Sequence, residues 1–519
     1  MSVFLRAWSR AGSRGWSRAG SCAGACIAGA ALVACAGAVP PAQHFAQPAV
    51  PALWSGQAVR PVQLGADLVW GAIFDDATLT ALIQRASADN PDIWLANARL
   101  RESRAQSSLA AAAGQAALSL TGSYARERGS QNAPQKVQVN RSGEVEPSSG
   151  GMDSLFQAGF DASWELDAFG ARAHARAAAQ ADLQALTFER AAIERTLCAE
   201  VARNYVMLRQ FQQLLLIARA DLDAQNDVQA LAASRRGAGL ATGTDVARSA
   251  AQSARLEAQV PLLAREVTQA VQRIAVLLGA PPHALLAELR APGPIPHARG
   301  DVAIALPSEL LRRRPDIAHA ERQLAAASER RDVAIADLFP RISLVGTAGL
   351  ASVSARDLFS SASLLTRFGP SITWPIMRRE QITATIEIRS AQEEQAFVLY
   401  RKAILNAFDE VENALAEAAT AKERAPALAA VVRHSALALE LAQARYRGGL
   451  ADFRSVLDAR HGAALARSEL LANEAALATA AIALFKSAGG SWEPSAPDTA
   501  PLTPHTPPMP PLPLMSPKG

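Results

Sequence analysis

Residues 170–236 and 378–447 are two stretches of Ala- and Arg-rich helical text, and each follows directly on a short segment in which apolar and polar residues alternate. In the first, GFDASWELDAFG (Gly159 to Gly170) passes straight into ARAHARAAAQADLQALTFERAAIERTLCAEVARNYVMLRQ. Alternation with period two marks a half-buried strand. At 1.5 Å per residue, either helix predicts a rod on the order of 100 Å long. Helices of that length cannot fold back into a sphere. Half of the 519 residues are apolar but only 5% are aromatic, which suits coiled-coil packing of small side chains better than a thick globular core.

The body repeats itself. NPDIWLANARL at Asn90 matches RPDIAHAERQL at Arg314, an offset of 224 residues that also aligns LSLTG (Leu118 to Gly122) with ISLVG (Ile342 to Gly346). GFDASW (Gly159 to Trp164) meets GPSITW (Gly369 to Trp374) at an offset of 210, which pairs Ala238 to Leu240 with Gly448 to Leu450, and Val246 with Val456. The first copy therefore carries an insertion between Gly122 and Gly159, a polar Gly/Pro/Ser/Asn stretch that reads as a long exposed loop. Residues 67–300 form the first copy and 301–493 the second. Each predicts helix, strand, loop, strand, long helix, break and return helix. The strands are expected at 117–127, 155–168, 341–351 and 364–376. The first helix is expected from Thr78 to Ala113 and its echo from Pro315 to Asp337. Gly237, Gly239, Gly448 and Gly449 are placed to end the long helices, and Pro261 and Pro426 predict kinks or local breaks.

Both ends differ from the body. Arg6, Arg10, Arg14 and Arg18 precede a small apolar segment from Ala19 to Ala34, which reads as a signal peptide over 1–34. These arginines are the only charged residues before position 60, and removing them from 52 basic residues leaves as many as the 48 acids. The formal charge of +4 thus vanishes with the leader, and nucleic-acid binding is not expected. The LVAC ending (Leu32 to Cys35) resembles a bacterial lipobox, which implies lipidation of Cys35 and, with Ala36 and Gly37 behind it, the outer membrane. Residues 35–66 read as an extended lipidated leader. Residues 494–519 read as a Pro-rich disordered tail, with a partner-binding Pro ligand as the sharper alternative. No later segment reaches 18 continuous apolar residues, so no membrane-spanning helix is expected.

From Leu155 to Phe169 the even positions are Phe156, Ala158, Phe160, Ala162, Trp164, Leu166 and Ala168, and the odd ones include Asp161, Glu165 and Asp167. The echo repeats the pattern with Phe368, Ile372, Trp374 and Ile376 on one parity. This predicts a transmembrane β-barrel with lipid outside and Asp161, Glu165 and Asp167 on the lumen face. Trp164 and Trp374, near the strand-to-helix junctions, suit an aromatic girdle at the membrane interface. The alternative is a soluble hairpin resting its apolar face on the helices. Four strands cannot close a barrel when about eight are needed, so chains must pool strands.

The segments WGAIFDDATLTALIQRASADNPDIWLANAR (Trp70 to Arg99), GFDASWELDAFGAR, LPSELLRRRPDIAHAERQLAAA, ADLFPRISLVGTAG, GPSITWP, EVENALAE and ALFKSAGGSW resemble the outer membrane factor family. The resemblance is to TolC-like channels of lipoprotein type in tripartite, RND-type efflux systems. It implies a mixed α and β fold: a homotrimeric outer-membrane β-barrel, four strands per subunit and 12 in all, continued by a long periplasmic α-helical coiled-coil barrel. It also implies a periplasmic adaptor and an inner-membrane transporter as partners. The family's gate motif, G-x-x-D-x-x-x-V-L-D-A, is matched by Gly449, Asp452, Val456, Leu457, Asp458 and Ala459. By that match Asp458 and Asp452 are expected as aperture carboxylates, with Asp245 and Arg248 of the first copy beside them. Where many members carry Arg three residues after the aspartate, this chain has His461. It also reads IMRREQI (Ile376 to Ile382) where members place an aromatic-Asp-x-Gly turn. For the gate charges the alternative is ordinary solvated helix caps.

No phosphate-cradling Gly loop, GxSxG or HExxH is present, and the eight histidines are scattered, so no enzyme, cofactor or metal site is expected. Asp458 with His461 reads as a solvated pair. The sequence thus predicts a passive exit duct for small molecules, with a protein-secretion channel as one alternative and a non-inserting periplasmic coiled-coil tether as the other.

Overall fold

The computed structural model describes residues 54, 74–128, 137–139, 145–147, 152–298 and 313–487. The expected signal peptide, the lipidation site Cys35, the Pro-rich tail and, Trp54 apart, the leader lie outside the described residues. The described elements are α1 (Ala77–Asp89), α2 (Pro91–Ala112), β1 (Ala117–Arg128), β2 (Val137–Val139), β3 (Val145–Pro147), β4 (Met152–Leu166), α3 (Ala171–Gly237), α4 (Gly243–Leu277), α5 (Pro315–Ala336), β5 (Arg341–Ser352), β6 (Leu364–Thr373), α6 (Arg379–Arg447) and α7 (Phe453–Ser487). The order α2-β1-β4-α3-α4 is followed by α5-β5-β6-α6-α7. The described residues divide into two compact units, one with residues 94–191 and 315–406, the other with residues 74–93, 192–298 and 407–487, each as far as described.

The first unit holds the four-stranded sheet, ordered β1-β4-β5-β6 and antiparallel throughout. The pairing of β4 with β5 joins strands from the two halves of the sequence. Its register sets Phe160 opposite Ala348 and Asp161 opposite Thr347. At one point the ladder is unusually close: a Cβ on Gly159 would lie 2.7 Å from the Gly349 Cα and 2.9 Å from the Ala348 carbonyl oxygen. Only glycine fits there. A small apolar cluster of Ala334, Leu338 and Ile386 packs where α5 and α6 flank the sheet.

The second unit has the larger core, built on Tyr205, Phe74, Leu82, Ile83, Ile274 and Phe485. The Tyr205 hydroxyl is tied down within it, donating to Asp76 Oδ2 at 2.8 Å and accepting from Arg209 Nη2 at 2.8 Å. Burial pushes this phenol up to about 12, against the pull of Arg209. Cys198 lies in the same core, and burial likewise pushes its thiol up to about 12. An unreactive, buried thiol is a packing residue.

Several expected boundaries need correction. The single helix expected from Thr78 to Ala113 is two, because Asn90 ends α1 and then accepts from the Asp92 and Ile93 amides at the start of α2. Pro91 occupies the first helical position, where its missing N–H is harmless. The expected breaks at Pro261 and Pro426 do not occur; both prolines lie inside continuous helices. The expected strands 155–168 and 364–376 end at Leu166 and Thr373. The long polar loop carries a short hairpin, β2 with β3. Helices α6 and α7 each contain an 18-residue window apolar enough by composition to cross a membrane. In α7 part of that apolarity is spent inside the protein, where Ala475, Ala478 and Ala481 pack into the core of the second unit.

Gly159→Ala should destabilise the sheet by about 1–3 kcal/mol through overpacking against a backbone that cannot yield. Gly122→Ala, whose Cβ would meet nothing within 4 Å, should have no effect. The urea midpoint of sheet unfolding checks the pair.

Candidate functional site

The register of the sheet sorts its side chains into two faces. Leu118, Leu120 and Tyr124 of β1 stand opposite Ala162, Phe160 and Phe156 of β4. Trp164 and Ala162 stand opposite Leu344 and Gly346 of β5, and Ile342 and Gly346 stand opposite Ile372 and Phe368 of β6. One face is therefore apolar from edge to edge. It is also bare, with Leu118, Leu120, Phe160, Leu364 and Ile372 exposed and Phe368 exposed to 82%. The expected alternative, a hairpin laid against the helices, would have buried this face. Each large apolar side chain left in water forgoes about 1.5–3 kcal/mol, so a face of this kind calls for an apolar solvent.

The other face is polar, and Asp161 lies on it. Its Oδ2 accepts from Thr121 Oγ1 of β1 at 2.8 Å and its Oδ1 from Thr347 Oγ1 of β5 at 2.9 Å, so both neighbouring strands hold the carboxylate. Thr347 pairs in turn with Arg367 of β6. Glu165 shares this face but is occupied, accepting from Arg172 Nη2 at 2.6 Å. Asp167 is a correction: it lies past the end of β4, and its two oxygens accept from the Arg172 and Ala173 amides at 3.0 and 2.8 Å. A carboxylate satisfying the first free amides of a helix is a cap.

Trp164 and Trp374 form a matched pair that sequence reading located but did not explain. The Trp164 indole N–H donates to the Gly114 carbonyl at 3.2 Å, and the Trp374 indole N–H to the Leu338 carbonyl at 3.1 Å. Each acceptor precedes the strand paired with that tryptophan's own, and the acceptors are 224 residues apart. Each ring thus fastens a helix-to-strand turn while its apolar body stays exposed, the amphipathic placement that membrane interfaces favour.

In the second unit, the end where α3 meets α4 and α6 meets α7 gathers the expected gate residues. Both helix-to-helix turns close alike: Gly239 and Gly449 have φ of 73° and 68°, and the Leu240 and Leu450 amides each donate to the carbonyl five residues back at 2.8 Å. Val246 of α4 packs with Tyr446, Phe453 and Val456 in one small cluster, so the two turns share a core. Asp452 caps α7, accepting from the Ser455 amide at 3.0 Å. Asp245 forms a capping box with Thr242, whose hydroxyl donates to it at 2.7 Å and, with its backbone amide, holds the carboxyl below its usual range. Arg248 and His461 are exposed. Asp458 is exposed at 72% and faces Arg454 one turn back at 3.6 Å.

Sequence reading missed the contact that ties the two turns together. The Arg235 guanidinium lies 4.4 Å from the Tyr446 ring centroid and donates to the carbonyls of Tyr446 and Arg447 at 3.1 and 3.3 Å. Its signal was an arginine at the last turn of α3, a place that reads as a simple complement to the helix dipole. Deeper in the same unit, burial pushes Asp221 of α3 up and Arg460 of α7 down, while each group's charge opposes the shift of the other. Among the described residues no group of His, Cys, Asp and Glu is arranged to hold a metal ion.

Solved structures share this arrangement. The outer-membrane channel OprN superposes with a TM-score of 0.79 at 31% identity, covering 88% of this chain and 99% of that one. The open state of the Neisseria gonorrhoeae MtrE outer membrane channel gives a TM-score of 0.74 at 26% identity, over 87% of this chain and 98% of that one. The fold is that of the outer-membrane channels. The chain matches the outer membrane efflux protein family over residues 82–280 and 306–490. It is 31% identical over 425 residues to the pyoverdine export outer membrane protein OpmQ of Pseudomonas aeruginosa, covering 82% of this chain and 87% of the relative. It is 32% identical over 464 residues to the outer membrane protein OprJ of the same organism, covering 88% and 94%. The chain belongs to the outer membrane efflux protein family and is an outer-membrane component of an efflux system.

The capping box makes one prediction about acid. A depressed folded-state pKa means that the Asp245 cap contributes fully above the ordinary value of 3.8 and is lost as pH falls through the depressed one. The first-turn amides of α4 should therefore exchange faster with solvent below about pH 4, and Thr242→Ala, which removes about 1 kcal/mol of capping, should show the same fraying at neutral pH. Hydrogen exchange at Asp245 to Ala247 reads both.

Proposed function

We propose that the chain is a passive exit duct in which three copies pool their strands into one 12-stranded barrel and their long helices into a periplasmic tunnel. The observation that carries this reading is the two-faced sheet with two open edges. Its apolar face suits lipid and its polar face suits a water-filled lumen, while among the described residues β1 and β6 are each paired on one side only. Four strands fall short of the roughly eight that a barrel needs, and in lipid an open edge is not tolerated. Three copies would close the ring with 12 strands, above that minimum. Exposed apolar residues at both flanks of the first unit, Trp94, Leu95 and Leu109 on α2 and Ile388, Val398 and Leu399 on α6, support burial against further copies. A non-inserting tether would need no such face.

The end of the second unit that carries Gly239 and Gly449 serves as the periplasmic gate in this reading. Asp458 is the aperture carboxylate with the most freedom to face a pore, because Asp452 and Asp245 are engaged as caps; Arg248 and His461 flank them. Leu240 and Leu450, exposed at 75% and 74% on the two matching turns, offer an apolar surface for a periplasmic adaptor, which would couple the duct to an inner-membrane transporter. Relatives named for pyoverdine export and for toluene efflux support small molecules as cargo. The duct does no chemistry of its own.

Purified protein in a planar bilayer should give stepwise, long-lived conductance, and cross-linking should trap a trimer. Asp458→Ala should raise the conductance of the resting pore. Absence of pores would defeat the duct reading, and an unchanged resting conductance in the variant would remove Asp458 from the gate.

A further inference from the structure

We infer that the turn from β6 into α6 binds the headgroup of an anionic phospholipid in the leaflet it meets, an inference that rests on the barrel reading above. The chain has two strand-to-helix junctions, and they differ in chemistry. At the first, Asp167 caps the Arg172 and Ala173 amides, and Phe169 stacks on Phe339 with ring centroids 4.9 Å apart. The offset of 210 residues puts Met377 where Asp167 stands and Arg379 where Phe169 stands. The second junction closes through backbone alone: residues Ile376–Arg378 form a 3-10 turn in which the Ile376 amide donates to the Trp374 carbonyl at 3.0 Å and the Arg378 amide to the Pro375 carbonyl at 3.3 Å.

With no side chain needed to cap the turn, all of them point outward. Met377 is 99% exposed and Ile376 69%. Arg378 and Arg379 are exposed and make no ion pair or side-chain hydrogen bond to any described residue; Glu380 behind them is exposed too. Ile376 and Met377 follow directly on the exposed apolar row of Leu364, Phe368, Ile372 and Trp374. A neighbouring subunit would extend the β6 edge by backbone pairing and leave this face uncovered, so continuity of the row assigns lipid as its occupant. Trp374 marks the level at which hydrocarbon gives way to headgroups. Two guanidinium groups just past that level meet the phosphate layer, and their planar donor forks match phosphate oxygens. The copy with Asp167 has a carboxylate in the corresponding place and no such complement.

The test uses the full-length protein purified in detergent and mixed with equal amounts of phosphatidylglycerol and phosphatidylcholine, with retained lipid read by native mass spectrometry. The wild type is expected to retain phosphatidylglycerol over phosphatidylcholine by roughly thirtyfold, the effect of two basic residues at a membrane surface. Arg378→Gln with Arg379→Gln should abolish the preference. Equal retention by the wild type, as a neighbouring subunit seated over Ile376 and Met377 would give, overturns the inference, as does a preference that survives in the double variant. Bilayer conductance of the same wild-type preparation separates the two readings: pores without lipid preference sink the headgroup site alone, whereas failure to insert sinks the barrel and the headgroup site with it.

Discussion

A sheet can sit in lipid only if every backbone amide and carbonyl is paired, and one copy of this chain leaves the outer edges of β1 and β6 open. Much of the rest of the molecule is intelligible from that constraint. In the proposed assembly the exposed apolar flanks of α2 and α6 would lie against further copies. The bare face that pairs Leu120 with Phe160 and Ile342 with Ile372 is the one such an assembly would present to hydrocarbon.

The two halves of the sequence meet at the β4–β5 ladder, which makes register a property of the whole chain. Slipping one residue there would exchange the faces of one half relative to the other. Gly159 against Gly349 resists that slip sterically, because their backbones approach too closely for any other residue pair. Asp161, held by a threonine from each side, resists it chemically, since the same carboxylate cannot reach both hydroxyls in another register. The duplicated tryptophan clamps then fasten the sheet to the helix turns at Gly114 and Leu338. At the other extreme of the sequence pattern, the matching turns at Gly239 and Gly449 are tied by Arg235 onto Tyr446.

Sequence carried the strands, the long helices and the paired turns because each depends on local periodicity or on glycine. It carried less where one side chain chose between two local roles. Asp167 continues the strand's alternation perfectly, yet the free amides of α3 draw it out of the ladder. Pro261 and Pro426 read as breaks, yet both helices continue through them. Asn90 reads as part of one helix, but its amide also donates to the Leu277 carbonyl at 2.8 Å, a contact invisible to any local rule. The Arg235 clasp escaped for the same reason, joining residues 211 positions apart. The acids expected at the gate lie at the two matching turns, and the engagement of Asp245 and Asp452 as caps emerged only from hydrogen-bond geometry.

The central claim is that even-numbered residues of β4 face lipid and odd-numbered ones face water. The direct measurement is a scan of single cysteines from Phe156 to Leu166, probed in membranes with a water-soluble maleimide. Cys198 is buried with its thiol pushed up to about 12, so it contributes little background. The account predicts period-two reactivity, high at positions 157, 161 and 163 and low at 156, 158, 160 and 162, with Gly159 left in place because no side chain fits there. Uniform reactivity, or the opposite phase, would contradict it.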